Sequence, residues 1–225
     1  MANTPAYGSS AVPKHLNGPA EEFEYELQAQ EGAIWSGGRL LVGILTFAFA
    51  ALAFAYFYLR SVDSEGLWRP HDITAPRVAG AIIFVAVILA VWLGYVGAQR
   101  LRRGSAAEWQ VTGWLALGLL LLGAGLQLGE LLGMLPFYPG SSGYASCFVG
   151  WAVINTAFIL GAAYWAETLL AREMRIRRLI AGDGGAARST QPVARLFRAN
   201  LESFRFFLAF VGLVELIFLV LFYVV

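Results

Sequence analysis

The sequence predicts an all-α membrane protein: a bundle of five transmembrane helices, amino terminus inside and carboxyl terminus outside. Three observations predict it. Five apolar stretches, at about 40–60, 77–98, 110–133, 144–170 and 204–225, are each long enough to cross a bilayer, which takes roughly 20 helical residues for about 30 Å of hydrocarbon. Hydrophobic residues make up 58% of the chain and charged residues only 14%, against roughly 25% charged in soluble domains. Finally, the cations near the stretches are lopsided. Lys14, Arg39, Arg100, Arg102, Arg103, Arg172, Arg175, Arg177, Arg178, Arg188, Arg195 and Arg198 fall on one side, and only Arg60, Arg69 and Arg77 on the other. Positive residues favour the cytoplasmic face, which sets the predicted orientation.

Five helices in 225 residues leave room only for short loops, so a single polytopic domain is expected over 37–225, preceded by an arm over 1–36. The arm is polar, then acidic at Glu21, Glu22, Glu24, Glu26 and Glu31. It is expected to be extended, with one or two helical turns. Its alternation Glu22-Phe23-Glu24-Tyr25-Glu26-Leu27 reads either as a solvated tail or as aromatic groups laid on a partner surface. It lacks a basic region followed by an apolar one, so no cleaved signal peptide is expected.

The first span closes in Ala55-Tyr56-Phe57-Tyr58-Leu59-Arg60, an aromatic belt followed by a cation, as suits a membrane–water interface. Pro76 stands just before the second span, which closes with Arg100, Arg102 and Arg103. The third starts near Glu108-Trp109. The uncharged turn Pro136-Phe137-Tyr138-Pro139-Gly140-Ser141-Ser142-Gly143 predicts antiparallel third and fourth spans. After the fourth span comes the most basic segment, interrupted by a flexible hinge at Gly182-Asp183-Gly184-Gly185.

The inventory of reactive side chains is short. The two histidines, His15 and His71, fall outside the spans, so the membrane region holds nothing to ligate haem or copper. The lone Cys147 has no disulfide partner in the chain and reads as a small buried hydrophobe. No zinc or copper motif, phosphate-binding loop, Ser–His pairing or catalytic carboxylate pair can be assembled. Catalytic, cofactor-binding and metal-ligating residues are therefore not expected in this chain. The arginine clusters read as topology signals and as lipid-headgroup contacts, with Arg100, Arg102, Arg103, Arg172 and Arg175 as candidates, rather than as nucleic-acid contacts.

Ionisable groups within a span cost several kcal/mol and need a reason. Glu130 lies near the end of the third span with Gln127 one turn before it on the same face. Gly125, Gly129 and Gly133 repeat every fourth residue beside that face, a spacing that admits another helix closely, with the Gln/Glu pair hydrogen-bonding across the contact. Glu167 reads as a snorkelling ion pair with Arg172. Glu215, near the middle of the fifth span, reads as an interhelical or subunit contact or as a proton-linked group. Asn155 and Thr156 read as interhelical hydrogen-bonding groups.

Several separated segments resemble subunit III of the haem-copper oxidases, the cytochrome c and quinol oxidase family, in its short five-helix bacterial form. Phe54-Ala55-Tyr56-Phe57-Tyr58-Leu59-Arg60 is similar to the aromatic close of the family's first shared helix. Gly125-Leu126-Gln127-Leu128-Gly129-Glu130 is similar to its Gly-x-Gln-x-x-Glu segment, and Ser142-Gly143-Tyr144-Ala145-Ser146-Cys147-Phe148-Val149-Gly150 to the start of its next helix. The chain also departs from the family. Leu45 stands where a glutamate is usual, Ile154 and Ala157 where two histidines are usual, Ala209-Phe210-Val211-Gly212 where His-Phe-Val-Asp is usual, and Leu131 where an aromatic is usual.

The resemblance implies a non-catalytic subunit of a terminal respiratory oxidase in a bacterial cytoplasmic membrane, with haem and copper in partner subunits I and II. It implies subunit I as the main contact, structural phospholipids in grooves, and a share in aerobic electron transport coupled to proton translocation. Trp92, Trp114, Trp151 and Trp165 are then candidates to line lipid grooves. The alternatives are a small transporter or proton channel working through Glu215, a membrane enzyme or assembly factor acting alone, or a subunit of a sister complex such as a nitric oxide reductase.

Overall fold

The structure, a computed structural model, describes residues 18–63, 66, 68–70, 73–137, 142–182 and 191–224. Lys14, His15, His71, the Tyr138–Ser141 part of the predicted turn, the Asp183–Gly185 part of the predicted hinge and Arg188 lie outside the described residues. The described chain is helical and contains no strand. Its helices are α1 (Pro19–Ser61), α2 (Arg77–Arg102), α3 (Ala106–Met134), α4 (Gly143–Gly182) and α5 (Gln191–Leu219). All five are long and apolar enough to cross a membrane. A short 3-10 turn, Leu135–Phe137, follows α3, and a π-helical turn, Val220–Val224, continues α5.

The predicted spans sit inside longer helices. α1 has 43 residues, roughly 65 Å of helix and about twice the hydrocarbon thickness. The extended arm is therefore corrected. From Pro19 onward the acidic segment is helix, continuous with the first span. Proline at the first helical position and Glu21 and Glu22 in the first turn suit a helix start. Gln28 Nε2 then donates to Glu24 Oε1 across one turn, at 3.3 Å. Leu27 is buried while Phe23 and Tyr25 stay exposed, so the alternation of the sequence marks no strand-like face.

The packing order is a closed ring of four helices, α2 on α3, α3 on α4, α4 on α5 and α5 on α2, as the expected antiparallel α3–α4 pair requires. α1 lies outside the ring and packs on α5 and α4. Between α2 and α3 the chain turns tightly at Gly104, whose φ of 88° is open to glycine. Ser105 N–H donates to the Arg100 carbonyl and Gly104 N–H to that of Leu101, each at 3.0 Å, the pairing that closes a helix over a left-handed residue.

Two polar ends bracket the bundle. On the arginine-rich side, the extensions of α1, α4 and α5 meet beyond the apolar stretches. Arg195 forks onto Glu31 at 2.9 and 3.0 Å and reaches Glu24 at 2.7 Å. That pairing holds the Glu24 carboxyl below the usual carboxylate range. On the opposite side an aromatic lock joins four parts of the chain. Trp68 packs edge-on against Tyr56 and Tyr144. The Tyr56 and Tyr144 hydroxyls donate to the Leu221 and Phe222 carbonyls, each at 2.7 Å.

Candidate functional site

The intramembrane polar residues converge from three helices. Asn155 on α4 and Gln127 on α3 are fully buried, and Glu215 on α5 is 1% exposed. Asn155 Nδ2 donates to Glu215 Oε2 at 2.6 Å and, more weakly, to Gln127 Oε1 at 3.5 Å. Glu215 thus makes an interhelical contact, one of the readings the sequence left open. It is held inside its own bundle, because α4 and α5 present Asn155 and Glu215 to the same interior line. One turn along α3 from Gln127, Glu130 is 7% exposed and accepts from the Tyr223 hydroxyl through Oε2. Gly80 on α2 makes room for this contact, since a Cβ there would fall on the Tyr223 ring.

The cluster is incompletely satisfied. Gln127 Nε2, Asn155 Oδ1, Thr156 Oγ1 and Glu130 Oε1 are buried with no hydrogen-bond partner among the described residues. Asn155 is therefore the interhelical group the sequence suggested, and Thr156 is not. Buried polar groups in hydrocarbon normally find partners, because an unmet donor or acceptor costs several kcal/mol. Chemically, the arrangement can pin α3, α4 and α5 together. Among the described residues no group of three or more His, Cys, Asp and Glu could hold a metal ion.

Gly125, Gly129 and Gly133 occupy a different face of α3 from Gln127. A Cβ added to any of them meets nothing within 4 Å. The stripe therefore receives no helix among the described residues, and the Gln127/Glu130 pair hydrogen-bonds inward instead of across it. Together with Pro76 and Ala79 at the start of α2, the glycines line a groove of about 590 Å³ whose wall also includes Glu130. A second groove, of about 520 Å³, separates α1 from α5 and is lined almost wholly by apolar side chains, Phe49, Trp151 and Phe210 among them.

The remaining candidates spread over the surface. Glu167 is exposed on α4 and forms no ion pair with Arg172. Five residues along a helix lie roughly 140° apart around its axis, so the two side chains point to different faces. Arg100 pairs with Glu108 at 3.1 Å, and Arg102 pairs with Glu202. Arg103, Arg172 and Arg175 are exposed without a carboxylate partner in the described ion pairs. Trp92 and Trp114 face outward, Trp151 is buried, and Trp165 Nε1 donates to Asn200 Oδ1 at 2.7 Å. Cys147 is half-buried and forms no disulfide.

Two participants were not foreseen from the sequence. Tyr223 was not among the candidates read from the sequence, and nothing local marks it as the partner of Glu130. Glu173, buried at the end of α4, pairs with Arg177 and accepts from Gln110 Nε2 at 3.0 Å. Its i,i+4 spacing to Arg177 was the available signal. No known protein family, curated protein or solved structure matches the chain.

Proposed function

We propose that this chain is a non-catalytic subunit III of a terminal haem-copper respiratory oxidase, seated in a bacterial cytoplasmic membrane with its amino terminus inside. Haem and copper belong to subunits I and II, with subunit I as the principal contact. Structural phospholipid occupies apolar surface such as the groove between α1 and α5. The observation that carries the reading is the ordered set of similar segments, which close the first span, run through Gly125–Glu130 and open the fourth span at Tyr144. Two features of the fold support it. Polar groups in the interior serve to tie helices together, and the open glycine face of α3 is built for a neighbour.

A transporter or proton channel working through Glu215 would need an aqueous path to that carboxyl. Glu215 is enclosed at 1% exposure and bonded to Asn155, which favours the structural role. The test is oxygen consumption by membranes from cells lacking this chain. Initial uptake is expected to persist and then to decay during sustained turnover faster than in membranes that contain it. Unchanged uptake over prolonged turnover would remove the proposal.

A further inference from the structure

We infer that a cleft at the arginine-rich end of the bundle binds a soluble organic anion, an apolar body that carries a phosphate monoester. The inference goes beyond the proposed subunit role and does not rest on it. The cleft has a volume of about 830 Å³, within the roughly 300–1,000 Å³ of small-molecule sites. All five helices contribute to its wall, and every described lining residue falls outside the five apolar stretches. It therefore lies beyond the hydrocarbon, where an ion can reach it.

The charged groups around the cleft leave donors over and no carboxylate oxygen free. Arg102, Arg177, Arg195 and Arg198 line it against Glu31, Glu173 and Glu202, a net positive charge. Each carboxylate oxygen already accepts a hydrogen bond. Glu31 takes Arg195 at 2.9 and 3.0 Å, and Glu173 takes Arg177 and, at 3.0 Å, Gln110. Glu202 takes Arg102 and, at 3.0 and 3.3 Å, Arg205. A guanidinium carries five N–H donors. Among the described residues Arg102 is engaged only through Nη2 and Arg177 only through Nε, and the exposed Arg198 forms no ion pair. These donors stand on α2, α4 and α5, so several anionic oxygens are needed to meet them. A phosphate monoester presents three on one phosphorus, and guanidinium forks match such oxygens in pairs. Trp35, Ile176 and Phe197 add an apolar wall that an inorganic ion would leave uncovered.

The same phosphate chemistry occurs on a phospholipid headgroup. The packing of α1 on α5 favours the soluble source. Gly38 and Ser203 stand between the residues that line the cleft, Trp35 and Glu202, and those that line the apolar α1–α5 groove, Val42 and Phe206. A Cβ on Gly38 would press on Ser203 at 3.1 Å, and Ser203 Oγ donates to the Ile34 carbonyl at 3.2 Å. The helices are thus closed against each other there, and acyl chains in the groove have no passage to the cleft along that seam.

The experiment dialyses the full chain, in phosphatidylcholine discs, to equilibrium against methylumbelliferyl phosphate, a soluble aromatic phosphate monoester. Saturable binding is expected, while the neutral methylumbelliferyl glucoside is retained no more than by protein-free discs. Arg198→Glu should weaken binding by about tenfold, the loss of one charge-assisted contact. Arg198 holds no described ion pair, so the change spares the fold, which thermal unfolding of the variant checks. Arg175→Glu makes the same charge change on an exposed residue outside the cleft and should leave binding within about twofold. Native mass spectrometry from discs that contain phosphatidylglycerol reads the lipid source. Phosphatidylglycerol retained by the parent and lost in Arg198→Glu, with no binding of the soluble probe, would assign the cleft to a headgroup and overturn the inference. Absent saturable binding, equal binding of the neutral glucoside, or equal losses in Arg198→Glu and Arg175→Glu would overturn it as well.

Discussion

Replacing Asn155 by leucine removes the donor that Glu215 depends on while nearly preserving side-chain shape. The lost contact is the 2.6 Å bond from Nδ2 to Glu215 Oε2, inside a bundle where the carboxyl is 1% exposed. A buried acceptor left without its donor costs about 1–3 kcal/mol. Interhelical hydrogen bonds in membranes average about 0.6 and reach about 1.7 kcal/mol, because the separated helices find other partners. The overlap predicts a loss of about 1–2 kcal/mol. Glu215→Leu alone leaves the Asn155 amide only its weaker 3.5 Å bond to Gln127 Oε1 and should cost a similar amount. The double variant removes both ends of the bond and should cost far less than the sum, since replacing both partners by apolar groups of similar shape is nearly neutral. The coupling should therefore be about 1–2 kcal/mol. The assay is thermal unfolding of the purified full chain in mild detergent, followed by a thiol-reactive dye on the half-buried Cys147, the only cysteine. Two costs that add to within about 0.3–0.5 kcal/mol would show independent sites and refute the cluster as the pin of the bundle.

Other perturbations test separate parts of the structure. Gly80→Ala drives a methyl into the Tyr223 ring and should destabilise the chain by about 1–3 kcal/mol. Gly129→Ala meets nothing and should leave the isolated chain unchanged or stabilise it by about 0.5–1 kcal/mol; both are read by the same thermal assay. Tyr56→Phe removes the 2.7 Å bond to the Leu221 carbonyl, at a net cost of about 0.5–1.5 kcal/mol, and should speed hydrogen exchange in the last turn of α5. Arg195→Ala should make the Pro19–Trp35 part of α1 more sensitive to protease in salt-free buffer, with a smaller difference at high salt. Acid should loosen the same segment. The Glu24 carboxyl is held below its ordinary value of 4.5, so its contribution is present above that value and is lost as pH falls through the lowered one.

Much of the fold was legible because the bilayer makes hydropathy nearly sufficient. Five apolar stretches became five helices, and α3 and α4 pack as antiparallel neighbours, Gly113 near Leu170 and Gln127 near Asn155. The arm was misread for a physical reason. Six residues of alternating charge and apolarity look like a period of two, yet the governing signals were Pro19 as a helix start and the long-range grip of Arg195. That grip joins residues 164 and 171 positions apart, and no local window contains it. Gln127, Glu130, Asn155 and Glu215 were each conspicuous as polar groups in apolar runs. Which of them touch depends on the rotation of α3, α4 and α5 about their axes, and that is set by packing. The sequence left Glu215 open between an interhelical, a subunit and a proton-linked role, and its partner, Asn155 on the preceding helix, became visible only in the fold. Tyr223 was invisible as a site residue because its role needs a gap on another helix, at Gly80.

The most direct test of the central claim, a subunit that works only within a larger redox assembly, is a mild-detergent pull-down of the tagged full chain from its native membrane, read by visible spectroscopy and mass spectrometry. Reduced-haem absorption bands together with co-purifying oxidase subunits I and II are the predicted result. A colourless, stable protein that comes away alone would contradict it.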